Sequence, residues 1–204
     1  MKITIDVTSG INIFFISDFH LFHKNVILSD NRKPFFNEYN EPDLNLMHET
    51  IINNWNLVVR KQDVVFYLGD LTFGKIEETK FILKQLNGKI HFIMGNHDKL
   101  KEVENLTRFQ SINDYVSLKI FSGDKKDNIH FCLMHYPIFS WDKKYRGNYC
   151  IFGHSHHKLD DNEFVKTNRM IDVGCNGINY TPISYKEIIE LKKDIFYKNF
   201  DNKR

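Results

Sequence analysis

Apolar residues fall in short, nearly unbroken runs rather than in strict alternation. Residues 11–17 (INIFFIS), 63–68 (DVVFYL) and 89–94 (KIHFIM) are almost wholly apolar, the pattern predicted for strands buried on both faces. Between the first two runs, Leu44, Met47, Ile51, Ile52, Trp55 and Val58 recur at helical spacing behind Pro42, which suits a first turn. The stretch 76–86 predicts a second helix that stops before Gly88. Further on, 115–121 and 128–134 flank a polar segment at 123–127, predicting a hairpin. Stretches 149–152 and 170–173 predict two more strands. Ser184 followed by Glu187 is a capping-box signal for a last helix to about Ile195. Strand–helix alternation giving way to hairpins predicts an α/β (α+β) chain with layered sheets and helices outside, strand directions open. No repeat, proline-rich linker or charge block divides the sequence, so 1–204 is expected to be one domain.

The informative polar residues sit where the apolar runs stop. The first ends in Asp18-Phe19-His20, the second in Gly69-Asp70, and the third gives way to Gly95-Asn96-His97-Asp98. The second hairpin strand ends at His135-Tyr136-Pro137 and the next strand at Gly153-His154-Ser155-His156. Strand ends that share one edge of a sheet form a crevice where distant residues meet. Asp18, His20, Asp70, Asn96, His135, His154 and His156 are nitrogen and oxygen donors with no thiolate among them, a set suited to manganese, iron, zinc, nickel or magnesium. Seven donors exceed one four-coordinate site but suit two ions sharing a carboxylate. Two ions roughly 3.5–4 Å apart can hold a hydroxide between them and clamp the oxygens of an in-line phosphoryl displacement. Turn geometry alone would account for Gly69, Gly95 and Gly153, but not for the histidines at 20, 97, 135, 154, 156 and 157.

The ordered series D-x-H, G-D, G-N-H-D, H and G-H-x-H resembles the calcineurin-like metallophosphoesterase superfamily over about residues 11 to 175, nearest its small bacterial and phage branch. The resemblance implies a four-layer αββα sandwich of two mixed β-sheets flanked by helices. It also implies two divalent metal ions, manganese ahead of iron, nickel, zinc or magnesium. Asp18, His20 and His156 would hold one ion, and Asn96, His135 and His154 the other, with Asp70 bridging. His97 would be the catalytic histidine and Asp98 would orient it. Phosphoprotein phosphatases of the superfamily carry Arg after G-D and Glu after G-N-H. Here Leu71-Thr72-Phe73 and Asp98 stand there, which disfavours a protein substrate. The implied activity is a metal-dependent phosphoester hydrolase, a phosphodiesterase on a small or nucleotide-type diester ahead of a phosphomonoesterase. The alternative is a catalytically silent metal-binding scaffold, which retention of all seven donors and His97 argues against.

Composition narrows the partners. With 28 basic and 26 acidic residues the net charge is +2, too little for a broad grip on nucleic acid or anionic lipid. A small phosphoester is therefore the expected substrate, nucleic acid is not favoured, no membrane partner is expected, and the oligomeric state stays open. The run at 11–16 is too short to span a membrane and has no cleavage site, and Cys132, Cys150 and Cys175 form no C-x-x-C pair, so a cytoplasmic protein with free thiols is expected. His23 and the arginines Arg32 and Arg146 are candidates for substrate contact, with Arg169 also worth testing. Tyr136 and Trp141 are candidates for stacking, against a core role. His48, His91, His130 and His157 are expected to be structural. Asp172, Asn176 and the segment 196–204 receive no assignment.

Overall fold

The computed structural model describes residues 1–124 and 128–195. Ten strands lie in two sheets: β1 (Lys2–Asp6), β2 (Ile13–Ile16), β3 (Val64–Tyr67), β4 (Lys89–Ile93), β5 (Phe109–Asn113), β6 (Tyr115–Phe121), β7 (Ile129–Met134), β8 (Tyr149–Phe152), β9 (Met170–Asp172) and β10 (Ile183–Ser184). Six α-helices accompany them: α1 (Lys24–Ser29), α2 (Leu44–Val58), α3 (Ile76–Leu83), α4 (Leu100–Asn105), α5 (Glu163–Thr167) and α6 (Tyr185–Leu191). One sheet has the order β10-β2-β3-β4-β5 and the other β1-β6-β7-β8-β9. Each is mixed: β10 is antiparallel to β2 while β2, β3, β4 and β5 run parallel, and β6 is antiparallel to β7 while β7, β8 and β9 run parallel.

The unbroken apolar runs are explained by two-sided burial. In β2, Ile13 and Phe15 face the second sheet, while Phe14 and Ile16 face helices. In β3, Val64 and Phe66 point inward, and Val65 and Tyr67 point to the helices. Strand pleating sends successive residues to opposite faces, so a strand with both faces covered needs an apolar residue at every position. The helix side is filled by Met47, Ile51 and Trp55, the stripe of α2, together with Ile82 and Leu83 of α3 and Val103 of α4. The outer face of the second sheet is covered by Trp141 and Val165 packed on Cys132, Cys150 and Phe152. Helices, sheet, sheet, then α5 with the loop around Trp141 make the four layers.

Helix α2 starts where Asp43 accepts the amide of Leu46, and α6 starts on the expected capping box of Ser184 and Glu187. Helix α3 ends at Leu83, short of Leu86, and α6 at Leu191, short of Ile195. The hairpin β6–β7 is antiparallel as expected. Residues 125–127 of its turn and the segment 196–204 lie outside the described residues. Three edge strands, β1, β5 and the two-residue β10, lacked a sequence expectation. In β1, outward Lys2, Thr4 and Asp6 alternate with Ile3 and Ile5, and β5 (FQSIN) is half polar. Among the described residues no helix is long and apolar enough to cross a membrane.

Candidate metal centre and active site

Strands β2, β3 and β4 share one direction within their sheet, as do β7 and β8 in theirs, and the residues that follow their C-terminal ends meet across the seam between the sheets. Ser17 donates its amide to Val173 O at 3.0 Å, joining the end of β2 to the end of β9. The loops after β2 and β3 run side by side, with Asp18 N on Gly69 O (3.0 Å), His20 N on Asp70 O (3.1 Å) and Leu21 N on Leu71 O (2.9 Å). Tyr67 Oη accepts from Phe19 N at 2.9 Å, pinning this pair of loops from below. Five of the seven predicted donors have left-handed backbone: Asp18, His20, Asp70, His154 and His156. Each such residue costs on the order of 1 kcal/mol, and such strain gathers where the surroundings must aim a side chain. At Gly95 a Cβ would fall on the Asp70 carboxylate, and at Gly69 it would come within 2.5 Å of Gly95 N. Only glycine lets these two turns approach each other so closely.

The seven donors gather into two groups of side chains. Asp18, His20 and His156 form one, and Asp70, His135 and His154 the other. Asn96 Oδ1 lies 3.1 Å from His135 Nε2 and 2.8 Å from His154 Nδ1. His20 Nε2 and His156 Nε2 are 3.1 Å apart. Asp70 Oδ2 stands between the groups, 3.7 Å from His20 Nε2 and 3.5 Å from His135 Nε2.

The protonation chemistry fits a cation. Burial pushes the Asp18 carboxyl up to about 6, against the lowering effect of its Ser17 hydrogen bond, so the carboxylate sits where more positive charge would be favourable. Burial pushes His20 down, and burial with the nearby His135 charge pushes His154 down; neutral imidazole is the form that binds metal. Burial also disfavours charged His135, but hydrogen bonding and charge from Asp70 outweigh it and raise its pKa. A cation between the two would replace that proton. His135 Nδ1 contacts Leu68 O at 2.6 Å and His156 Nδ1 contacts the Asp30 carboxylate. Such outer contacts fix the ring so that Nε2 faces inward.

Several expectations need correction. Asp98 does not hold His97: its carboxylate accepts from the amides of Asp70 (2.7 Å), Leu71 (3.0 Å) and Gly95 (2.8 Å), splinting the turns around Asp70. Instead, the His97 amide donates to Asp70 Oδ1 at 3.0 Å, and its ring stands with Nε2 3.9 Å from Asp70 Oδ2. Arg32 is buried under the site rather than open to substrate; it donates to Asp18 O and Phe19 O, each at 3.0 Å, and pairs with Asp30. Arg146 is exposed in a 3-10 turn (Lys144–Arg146) just before β8, at the sheet edge opposite the donors. Arg169, just before β9, is likewise at that far edge, with Nη1 on Gly147 O.

His23 does lie beside the site, its ring stacked on Phe73 at 4.3 Å and its buried Nδ1 without a hydrogen-bond partner. Tyr136 stands at the rim, 4.9 Å from the His154 ring. Trp141 is a core residue donating to Asn148 O at 2.8 Å. His157 is structural, with its ring nitrogens on Asp160 and Gly174 O, and Asp172 ties the loop after β8 through Ser155 and the amide of His157. Asn176 Nδ2 donates to His156 O at 3.2 Å.

Asp30, Tyr67 and Phe73 were not found by sequence reasoning. Phe73 is 46% exposed and lies against His20, His23 and His97; its only sequence signal was its place three residues beyond Asp70. A cavity of about 510 Å³ adjoins the site, lined by Phe73, Lys75, Asn96, His97, Lys99 and others. The larger groove between α2 and α3, about 660 Å³, is lined by none of the seven donors.

Comparison with known proteins places this geometry. The family model for calcineurin-like phosphoesterases matches residues 11–158. An uncharacterized protein, MJ1445, of Methanocaldococcus jannaschii is 38% identical over 183 residues, covering 88% of this chain and 90% of its own. The gene 66 protein of Mycobacterium phage D29 is 25% identical, covering 90% of this chain and 97% of its own. A crystal structure of a protein of unknown function from Aquifex aeolicus, AQ665, matches with a TM-score of 0.65 and 27% identity over 88% of this chain and 98% of its own.

Proposed function

The chain belongs to the calcineurin-like phosphoesterase family, and from that premise we propose that it is a dinuclear metal-dependent phosphodiesterase acting on a small or nucleotide-type diester. The observation that carries the reading is the position of Asp70 Oδ2, within 3.7 Å of His20 Nε2 on one side and 3.5 Å of His135 Nε2 on the other. Asp18, His20 and His156 would hold one ion and Asn96, His135 and His154 the second, with Asp70 shared. The nitrogen and oxygen set suits manganese, iron, zinc, nickel or magnesium alike, and the family resemblance puts manganese first among them. When bound, the ions would supply Lewis-acid charge to the phosphoryl oxygens and lower the pKa of an attacking water.

The remaining work falls to the chain's own groups. His97 has its amide anchored on Asp70 and its ring half exposed, so the imidazole is free to reach a bound phosphoryl group. There it gives a proton to the leaving oxygen, or neutralises charge on it. A diester is favoured over a monoester by the arginines. Arg32 is spent on backbone carbonyls beneath the site, and Arg60, Arg108 and Arg169 are engaged with Asp63 or main-chain carbonyls elsewhere. No arginine fork faces the donors among the described residues, so the second charge of a terminal phosphate would lack that partner.

Hydrolysis of bis(p-nitrophenyl) phosphate with added manganese tests the reading. Wild type is expected to turn over, and His97→Ala to lose about 10²–10⁴-fold in rate while keeping the wild-type metal content. Absence of turnover with every divalent metal, despite stoichiometric bound ions, would mark a silent scaffold instead.

A further inference from the structure

Beside the candidate metal centre lies the cavity of about 510 Å³ whose lining runs from Asn96 and His97 to Thr72, Phe73, Lys75 and Lys99. Its position is informative. A diester has two groups on phosphorus, and the one next to His97 is the one that leaves. This cavity therefore receives whatever that group carries.

Two kinds of recognition are built into its wall. The first is flat and aromatic. Phe73 stands against the rings of His23 and His20, at 4.3 and 5.7 Å and interplanar angles of 28° and 26°. Backed in this way, Phe73 as a residue is still 46% exposed. An exposed phenyl group held by two imidazoles is costly to leave in water and is pre-oriented to stack on a second flat ring. The second kind is cationic. Lys75 and Lys99 both line the same cavity, with one carboxylate residue, Glu102, which pairs with Lys99 at 3.0 Å. A flat ring and an anion, both within reach of a scissile phosphorus, together describe a nucleotide.

Resting on the phosphodiesterase reading above, we propose that this cavity binds the leaving half of the substrate as a nucleotide, with its base on Phe73 and a further phosphate between Lys75 and Lys99. The substrate class is then a short phosphodiester joining two nucleotides with a terminal phosphate, rather than a simple alkyl or aryl diester.

The test uses the manganese-loaded full chain and three probes: adenosine 5′-monophosphate in calorimetric binding, and the dinucleotides pApA and ApA in turnover. Wild type is expected to hydrolyse pApA with a KM about tenfold below that for ApA. Lys75→Ala/Lys99→Ala should erase that difference by raising the KM for pApA, with kcat changed less than threefold. Phe73→Ala should weaken adenosine 5′-monophosphate binding about tenfold, and Phe73→Tyr should restore it. All three side chains are exposed, so the variants are expected to fold. Equal KM values for pApA and ApA in wild type, or undiminished nucleotide binding by Phe73→Ala, would overturn the proposal. Failure of wild type to hydrolyse any diester, bis(p-nitrophenyl) phosphate included, would instead overturn the phosphodiesterase reading, and the calorimetry would still decide whether the cavity takes a nucleotide.

Discussion

Asp98 follows His97 in the chain, but its work is on the other side of the turn. Its two oxygens accept three main-chain amides, those of Asp70, Leu71 and Gly95, and buried amides left without an acceptor are expensive. Asp98→Ala is therefore expected to lower unfolding free energy by about 3 kcal/mol, read from urea denaturation, and Asp98→Asn by less because one acceptor oxygen remains. The loss should persist in a His97→Ala background; disappearance there would mean that Asp98 acts through the imidazole. This residue marks where the sequence ceased to be legible. Residue type and spacing singled out the seven side chains that the fold gathers, because aspartate, asparagine and histidine after an apolar strand are rare enough to stand out. Side-chain direction at a turn depends on backbone dihedrals that residue type does not declare. From the sequence alone Asp98 reads as orienting His97 and Arg32 as contacting substrate, when Asp98 faces main-chain amides and Arg32 main-chain carbonyls.

Among the elements, β2 and β3 were readable because two-sided burial writes a continuous apolar run, whereas β1 and β5 were not, since an edge strand has fewer neighbours to satisfy and tolerates polar residues. The start of β3 is held by a residue that periodicity also passes over. Asp63 accepts from Asn12 N at 2.9 Å, from Arg60 N at 2.9 Å and from the Arg60 guanidinium, so it joins the end of α2 to the strand before it. Burial opposes ionisation of Asp63, but the Arg60 and amide hydrogen bonds prevail and hold its carboxyl below the usual range. A depressed native pKa stabilises the fold fully above the unfolded-state value and loses that contribution as pH falls through the native one. Asp63→Asn should accordingly cost about 1–3 kcal/mol at pH 7. In urea titrations the gap from wild type should narrow as pH drops through and below about 4. A gap that stayed constant with pH would show that the charge on Asp63 contributes nothing.

On the scale of the whole molecule, the donors come from both sheets: Asp18, Asp70 and Asn96 follow strands of one, and His135, His154 and His156 follow strands of the other. An ion bound to Asp18, His20 and His156, or to Asp70, Asn96, His135 and His154, would tie the two sheets together at their shared edge. Without it, carboxylates and left-handed turns are held close at a cost that the two-sided cores must offset. Such an ion binds the folded chain and finds no assembled site in the unfolded one, so it should stabilise the whole molecule, by about 2.7 kcal/mol at a hundredfold excess over its Kd. Manganese is therefore expected to raise Tm by several degrees in wild type, a shift that grows with the logarithm of metal concentration. If Asp70, which stands between the two groups, is shared as proposed, Asp70→Asn should abolish most of that shift and lower metal content below one ion per chain. His97→Ala should keep both, because its ring is not among the seven donors. An Asp70→Asn protein that still held two ions and gained the full shift would show that the carboxylate does not join the two groups.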